Sequence, residues 1–331
     1  MGIKNLLKFL LEKNNIVETR NINNYYGKKI GIDISILMYQ SVISIRNSGF
    51  DLTNSDGTLS SHILGIFNKT LKFLDNGIIP IFVFDGKSPL MKQKVLNTRK
   101  DIRNKALTKL NNVESDVDKI KYFKRSVWIT KEHNDQCREL LNLMGIPYID
   151  AVEEADSELA HLCKNNQVYA VLTEDMDILT FGSPIIIRNL TSFNKPPIHI
   201  EIKTILDNLD LTYEQFIELC ILFGCDYCYN LTDVKYNEIY NTYIKFKSVD
   251  KTIDELKILG YIIPNNFNYI EAKDYFIRSV HKDTEDEKLK LSLPNIEKLN
   301  DLLINKYGLI NYKINYKINK LLKYYDKFKN I

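Results

Sequence analysis

Ile78-Ile79-Pro80-Ile81-Phe82-Val83-Phe84-Asp85 is an unbroken apolar run that ends in an acid, with Gly77 before it and Gly86 after it. A short continuous apolar run between glycines predicts a strand buried on both faces. The same design recurs in Lys29-Ile30-Gly31-Ile32-Asp33 and in Val168-Tyr169-Ala170-Val171-Leu172-Thr173-Glu174-Asp175. Residues 184–188 predict a fourth strand, and Ile146-Pro147-Tyr148-Ile149 a short one. Helical spacing separates them. Leu59 to Asn76 places Ile63, Ile66, Phe67, Leu71 and Leu74 on one face and stops at Gly77; Lys131 to Met144 stops at Gly145. Strands alternating with helices predict an α/β fold with a parallel sheet. Such sheets bind ligands beyond the carboxyl ends of their strands. Asp33, Asp85 and Asp175 would be delivered to that edge. One strand-terminal Asp reads as a helix cap or turn residue; three, each ending its own strand, point to a site.

The charge distribution agrees. The 331 residues carry 45 Lys+Arg and 42 Asp+Glu, for a net +3. That total hides an acidic block between two basic ones. Residues 87–131 hold 13 basic and 4 acidic side chains, residues 150–240 hold 5 and 16, and residues 305–331 hold 7 and 1. Basic segments suit a polyanion and clustered carboxylates suit hard cations, although solvated helix faces would give the same counts. The five cysteines (137, 163, 220, 225, 228) are too few for a disulfide framework. Cys220, Cys225 and Cys228 have an iron–sulfur-like spacing without a following fourth cysteine, so they read as small core residues. No apolar run is long enough to span a membrane, and the start lacks a signal peptide's apolar region. These features predict an intracellular, reduced protein.

The acidic block contains Glu153-Glu154-Ala155-Asp156-Ser157-Glu158 opening a helix, Glu174-Asp175-Met176-Asp177 after a strand, and Asp226 after the apolar run 219–223. Capping explains one or two acids in a first turn, not four. Gathered carboxylates repel unless cations hold them, and paired divalent metals are the usual reason for such a cluster. Oxygen donors without a His or Cys ligand pattern favour Mg²⁺ or Mn²⁺ over zinc. Such a pair can clamp the attacking water and leaving oxygen of a phosphodiester, so no Ser or His nucleophile is required.

Met1-Gly2-Ile3, Gly31-Ile32-Asp33, Val83-Phe84-Asp85-Gly86-Lys87, His133-Asn134-Asp135, Leu143-Met144-Gly145-Ile146-Pro147-Tyr148, Thr173-Glu174-Asp175-Met176-Asp177, Thr180-Phe181-Gly182-Ser183-Pro184 and Leu219 to Cys228 occur in that order along nearly the whole chain. Together they resemble the structure-specific flap endonuclease family, the Rad2/XPG nucleases. The resemblance implies a PIN-like α/β nuclease core, a helical arch insertion, and a C-terminal helical region with a degenerate helix–hairpin–helix. The boundaries expected are 1–86 for the N-terminal nuclease region, 87–131 for the arch and cap, 132–260 for the internal nuclease region with the hairpin element at about 213–247, and 261–331 for a C-terminal helical extension. It further implies a 5′-flap endonuclease and 5′-exonuclease of replication, repair or recombination that uses two Mg²⁺ ions, with Mn²⁺ as a substitute. The implied ligands are Asp33, Asp85, Glu154, Asp156, Asp175, Asp177 and Asp226. Helical spacing alone pairs Glu154 with Glu158 instead, so the implied set requires the chain at Glu154 not to be regular helix yet. Lys92 and Arg99 match the arch's catalytic basic residues, and Tyr39 an aromatic that stacks on a base. Gly2, Arg46, Lys124 and Arg125 are the further expected DNA contacts.

Two departures from the family stand out. The stretch Leu231-Thr232-Asp233-Val234-Lys235-Tyr236-Asn237 has no glycine where members carry a Gly-rich hairpin that binds duplex phosphate and a monovalent cation. No sliding-clamp-binding motif is recognisable near Ile331. The expected partner is branched or flapped DNA, in the nucleus or a cytoplasmic viral replication compartment, with no membrane. The alternatives are a plain 5′→3′ exonuclease, a junction-resolving nuclease on the same scaffold, a non-catalytic DNA-binding replication subunit, or a glycosyltransferase if Asp175-x-Asp177 is read alone.

Overall fold

The computed structural model describes residues 2–47, 49–53, 57, 59–190, 192, 195–329 and 331, and for Asn311 the backbone only. Met1 of the first motif lies outside the described residues. Among the described residues seven strands occur in chain order: β1 (Val17–Thr19), β2 (Lys29–Asp33), β3 (Ile79–Phe84), β4 (Tyr148–Asp150), β5 (Ala170–Leu172), β6 (Ile185–Arg188) and β7 (Ile198–Glu201). The chain divides into two compact units. The first is Met1–Asn24, Gly86–Gln93 and Ala151–Lys282; the second is Tyr25–Asp85, Lys94–Asp150 and Asp283–Ile331.

The second unit contains the stretch quoted first. Every residue of β3 is buried. β3 lies between β2 and β4, parallel to both, with Ile32 opposite Phe82 and Val83 opposite Ile149. A strand covered on both faces needs apolar residues at every position, not at alternate ones, and the sequence supplies them. Helix Ser61–Asp75 adds Ile63, Ile66, Phe67, Leu71 and Leu74 to this core, and helix Lys131–Met144 adds Leu140, Leu141 and Met144. Gly145 ends the latter at φ 69°. The basic insertion is helical but contributes almost nothing to the core. Only Ala106 is buried in Gln93–Leu110, and no residue is buried in Asp116–Arg125. The basic C-terminal helix Asn311–Phe328 buries Ile314, Ile318, Leu321 and Phe328. It is tied to helix Ser61–Asp75 by Lys317 Nζ on Asn68 at 2.6 Å and by Lys320 and Tyr324, which both reach Asp75.

In the first unit the strand order is β1-β7-β6-β5. β5 and β6 are parallel, as expected, but β7 runs antiparallel to both β6 and β1. The α/β class holds, while the all-parallel sheet does not describe this unit. β1 and β7 escaped the sequence reading because they are short and carry Glu18, His199 and Glu201 rather than an apolar run. All five cysteines are free thiols, and burial pushes Cys220 and Cys225 upward from the usual thiol range. Cys220 and Cys225 are core residues, as expected, whereas Cys228 is only half-buried.

One buried histidine carries a pH prediction. His62 is fully buried, with Nε2 2.7 Å from Gln136 Oε1 and its ring centroid 4.5 Å from that of His133. Burial, then the neighbouring His133, lowers its pKa to about 4. The unfolded chain therefore binds this proton more readily, so stability is full above pH 6.5 and falls as pH drops toward 4. From pH 7 to pH 5 the expected loss from this residue is about 2 kcal/mol. Urea midpoints across that range should flatten in His62→Gln; an unchanged slope would exclude His62 as the cause.

Candidate functional site

In the first unit the carboxylates gather around Asp177. Thr173 Oγ1 accepts from the Asp175 N–H at 2.9 Å, and Asp175 Oδ1 accepts from the Asp177 N–H at 3.2 Å, which locks the turn after β5. Between them Glu174 turns away into an ion pair with Arg188 at 2.8 Å. Asp177 is almost completely buried, and its Oδ1 has no hydrogen-bond partner among the described residues. Burial raises its pKa well above the ordinary carboxyl value, and the charges of Asp175 and Asp226 raise it further. Lys92 opposes them, and Glu154 adds to them.

Glu154 shows why helical spacing failed. It is the extended N-cap of helix Ala155–Lys164, at φ −98° and ψ 141°, so its side chain leaves the chain before the helical repeat begins. Glu158 is buried and accepts from the Lys282 N–H at 3.1 Å. The set with Glu154 and Asp156 is thus compatible with the local backbone. Both Glu154 oxygens are engaged: Oε1 lies 2.5 Å from Lys92 Nζ, and Oε2 accepts from the Tyr227 hydroxyl. Burial alone would lower the Lys92 pKa, but Glu154, Asp156 and Asp177 outweigh it and hold the ammonium above its ordinary value. Tyr227 is itself buried against Phe181, Tyr275 and Phe276, and burial followed by Glu154 pushes its hydroxyl pKa well up.

Two glycines allow this arrangement. The Gly86 N–H donates to the Glu153 carbonyl at 2.6 Å, and a Cβ at Gly86 would collide with the carbonyl oxygens of Ala151 and Val152. That close approach brings the Lys92 segment alongside Glu154. Gly2 has φ 74°, and a Cβ there would fall on Asp175 Oδ1 and lie 2.7 Å from Asp177 Oδ1. Gly2→Ala is therefore expected to displace both carboxylates and cut activity at least tenfold without lowering thermal stability comparably. Cleavage rates and melting curves measured together would check this; full activity would show that the two acids do not need their present positions.

In the second unit Asp33 ends β2, and Asp85 follows the end of β3. Asp33 also caps helix Ile34–Arg46, its Oδ1 accepting from the Ser35 N–H at 2.8 Å. The Ser35 hydroxyl donates to Asp85 Oδ2 at 2.8 Å, so one serine links the two acids. The sequence reading missed Ser35; its signal is the Asp33-x-Ser35 spacing directly after a strand. Tyr39 is about one-third exposed. Burial raises its pKa, the Ile129 backbone holds it back by a hydrogen bond, and the nearby charges of Arg103 and Arg99 act in the same direction. Arg46 is committed to the protein. Nε and Nη2 reach Asp51 at 2.8 and 2.9 Å, Nη1 reaches the Phe123 carbonyl and Ser126 Oγ, and the guanidinium lies 4.1 Å from the Phe123 ring centroid. These bonds engage four of its five N–H groups. Lys124 reaches Asn47 Oδ1 at 2.9 Å, while Arg125 and Arg99 are exposed.

The helix–hairpin–helix stretch lies between helices Tyr213–Phe223 and Tyr236–Phe246. Its positive-φ position is taken by Asp233 at φ 64°. Asp tolerates that conformation, but its side chain places a negative charge where glycine would leave open backbone.

Which metal could these side chains hold? The donors are carboxylate oxygens, which suit a hard divalent cation. The unpartnered, buried Oδ1 of Asp177 is the observation that fits, since a buried carboxylate among like charges needs a cation or a proton. Among the described residues no three His, Cys, Asp or Glu side chains already converge at ion-holding geometry. Lys92 supplies the counter-charge in the first unit. Among the described residues no helix is long and apolar enough to cross a membrane.

Residues 1–106 match the model of the XPG N-terminal domain, and residues 145–226 match that of the XPG I-region. The chain is 39% identical over 306 residues to Flap endonuclease 1 of Homo sapiens, covering 90% of this chain and 80% of that protein. It is 38% identical over 331 residues to Flap endonuclease 1 of Nematostella vectensis, covering 98% and 88%. Among solved structures, the flap endonuclease-1 of Methanococcus jannaschii superposes with a TM-score of 0.70 at 26% identity, covering 94% of this chain and 96% of that one. The catalytic core of Rad2 in complex with DNA substrate superposes at 0.76 with 23% identity, covering 97% and 100%, which supports the fold. With both XPG regions matched and such identity spread over most of its length, this chain belongs to the flap endonuclease family of XPG nucleases.

Proposed function

We propose that the protein is a structure-specific 5′-flap endonuclease that hydrolyses DNA phosphodiesters in replication and repair. The observation that carries this reading is the carboxylate cluster around Asp177, with Lys92 held against Glu154, in a chain of the XPG family. The candidate ligands are Asp33 and Asp85, linked by Ser35, together with Glu154, Asp156, Asp175, Asp177 and Asp226. Two Mg²⁺ ions held by these acids would supply Lewis acidity and a nucleophilic water at neutral pH.

The chain's own residues set the rest. Tyr227 and Lys92 orient Glu154 from opposite oxygens. Lys92 and Arg99 are the cations proposed to meet charge developing on the scissile phosphate. Tyr39 offers an exposed ring to a base beside the cut, and Lys124 and Arg125 offer charge to the backbone. The 13 basic and 4 acidic side chains of residues 87–131 give this region a field that attracts a single strand.

The test is cleavage of matched 5′-flap, nicked and blunt DNA with Mg²⁺, and again with EDTA. The flap should be released as a fragment cut near its junction, and EDTA should stop the reaction. A ladder of mononucleotides alone would favour a plain 5′→3′ exonuclease. Preferred cutting of four-way junctions would favour a resolvase. No cutting with either Mg²⁺ or Mn²⁺ would favour a non-catalytic DNA-binding subunit.

A further inference from the structure

Trp128 is the chain's single tryptophan, and it sits in a segment otherwise poor in apolar side chains. It is 53% exposed, a high value for so large an apolar group. The guanidinium of Arg103 lies over its indole with Cζ 3.7 Å from the ring centroid. Arg103 Nη1 is buried and has no hydrogen-bond acceptor among the described residues. The next residue, Ile129, hydrogen-bonds through its backbone to Tyr39, and the charges of Arg103 and Arg99 both act on the Tyr39 hydroxyl. All of these residues belong to the second compact unit. They form one patch in which two exposed aromatic rings alternate with two arginines.

Core packing does not explain Trp128, because half of it faces solvent. A ring backed by a planar cation has one face covered and its outer side available. Aromatic and guanidinium planes on a basic surface are the elements that bind unstacked nucleobases. Duplex DNA keeps its bases stacked inside and offers such a ring no base face, so the patch suits a single strand. We propose that the Trp128–Arg103 stack is a base-stacking position for single-stranded DNA, engaging the flap strand of the substrate. This rests on the flap-endonuclease reading, and it adds a base-stacking position, besides Tyr39, to the phosphate charge contacts proposed for residues 87–131.

Because Trp128 is the only tryptophan, its fluorescence reports this site alone. The full chain, in EDTA to prevent cutting, is titrated with oligothymidylate, with a 5′-flap substrate and with blunt duplex. Single-stranded and flapped DNA should quench and saturate, and blunt duplex should leave the emission nearly unchanged. Trp128→Ala should weaken flap binding about tenfold and Trp128→Phe by no more than about threefold, with blunt-duplex affinity unaltered. An unquenched signal at saturation, equal flap affinity in Trp128→Ala, or an equal loss on blunt duplex would each overturn the proposal. Cleavage of the flap by the wild-type protein in Mg²⁺ is measured in parallel. If the flap is cut while quenching is absent, the stacking site fails and the functional reading stands. If the flap is not cut, the functional reading fails whatever the fluorescence shows.

Discussion

Asp177→Asn should abolish cleavage and at the same time make the cation-free protein more stable. The wild-type side chain is buried, carries an oxygen without a partner among the described residues, and feels the negative charges of Asp175, Asp226 and Glu154. In the proposed two-metal centre, losing this ligand would remove several kcal/mol of transition-state stabilisation, or at least about 10³-fold in rate. Stability moves the other way. The raised pKa means that the folded chain holds the proton more tightly than the unfolded chain, so Asp177 costs stability as pH rises above the ordinary carboxyl range. Asn is nearly isosteric and uncharged. A gain on the order of 1 kcal/mol is expected near neutral pH, shrinking as the pH falls. Melting curves in EDTA at several pH values, beside single-turnover cleavage, test both halves. Retained cleavage would remove Asp177 from the ligand set, and a lowered melting temperature would contradict its electrostatic isolation.

Lys92→Ala should give the opposite stability result with a similar catalytic phenotype. Lys92 and Glu154 form a close ion pair with side chains only 14% and 6% exposed. Removing the ammonium leaves a buried carboxylate held by Tyr227 alone, and breaking such a pair costs about 3–5 kcal/mol. The chemical step should slow about 10²- to 10³-fold while flap affinity changes little. If the proposed site binds a divalent cation in the folded chain, added Mg²⁺ should recover part of the lost stability. An effect on affinity alone would reduce Lys92 to a phosphate contact. Unchanged stability in EDTA would show that the ion pair does not hold Glu154.

The contrast between these two residues follows from how much of the site one dimension can specify. The strands were readable because full burial demands apolar residues at every position, as in Ile79–Phe84, and the acids at their ends were readable because a strand end is a sharp position. Asp33 and Asp85 needed only that, whereas Asp175 lies in the turn beyond β5, which ends at Leu172. The basic character of residues 87–131 was equally plain, since a segment poor in apolar residues contributes little to a core. The edge strand Val17–Thr19 and its neighbour Ile198–Glu201 were not readable, because their pairing partners, rather than their own pattern, make them strands.

Within the site, sequence spacing misjudged Glu154, whose extended N-cap backbone is a tertiary outcome of the segment Gly86–Gln93 running beside it. The Ser35 bridge, the Tyr227 hydroxyl on Glu154 and the Arg103 guanidinium on Trp128 join residues far apart in the chain, or depend on rotamers that no local pattern encodes. The sequence by itself determined the α/β class, the acids at the strand ends and the sign of charge in each region, because burial periodicity and composition act locally. Which acids are isolated, which are neutralised by Lys92 or Tyr227, and which aromatic ring stays exposed were decided only by the tertiary structure, because desolvation and ion pairing depend on distances through space.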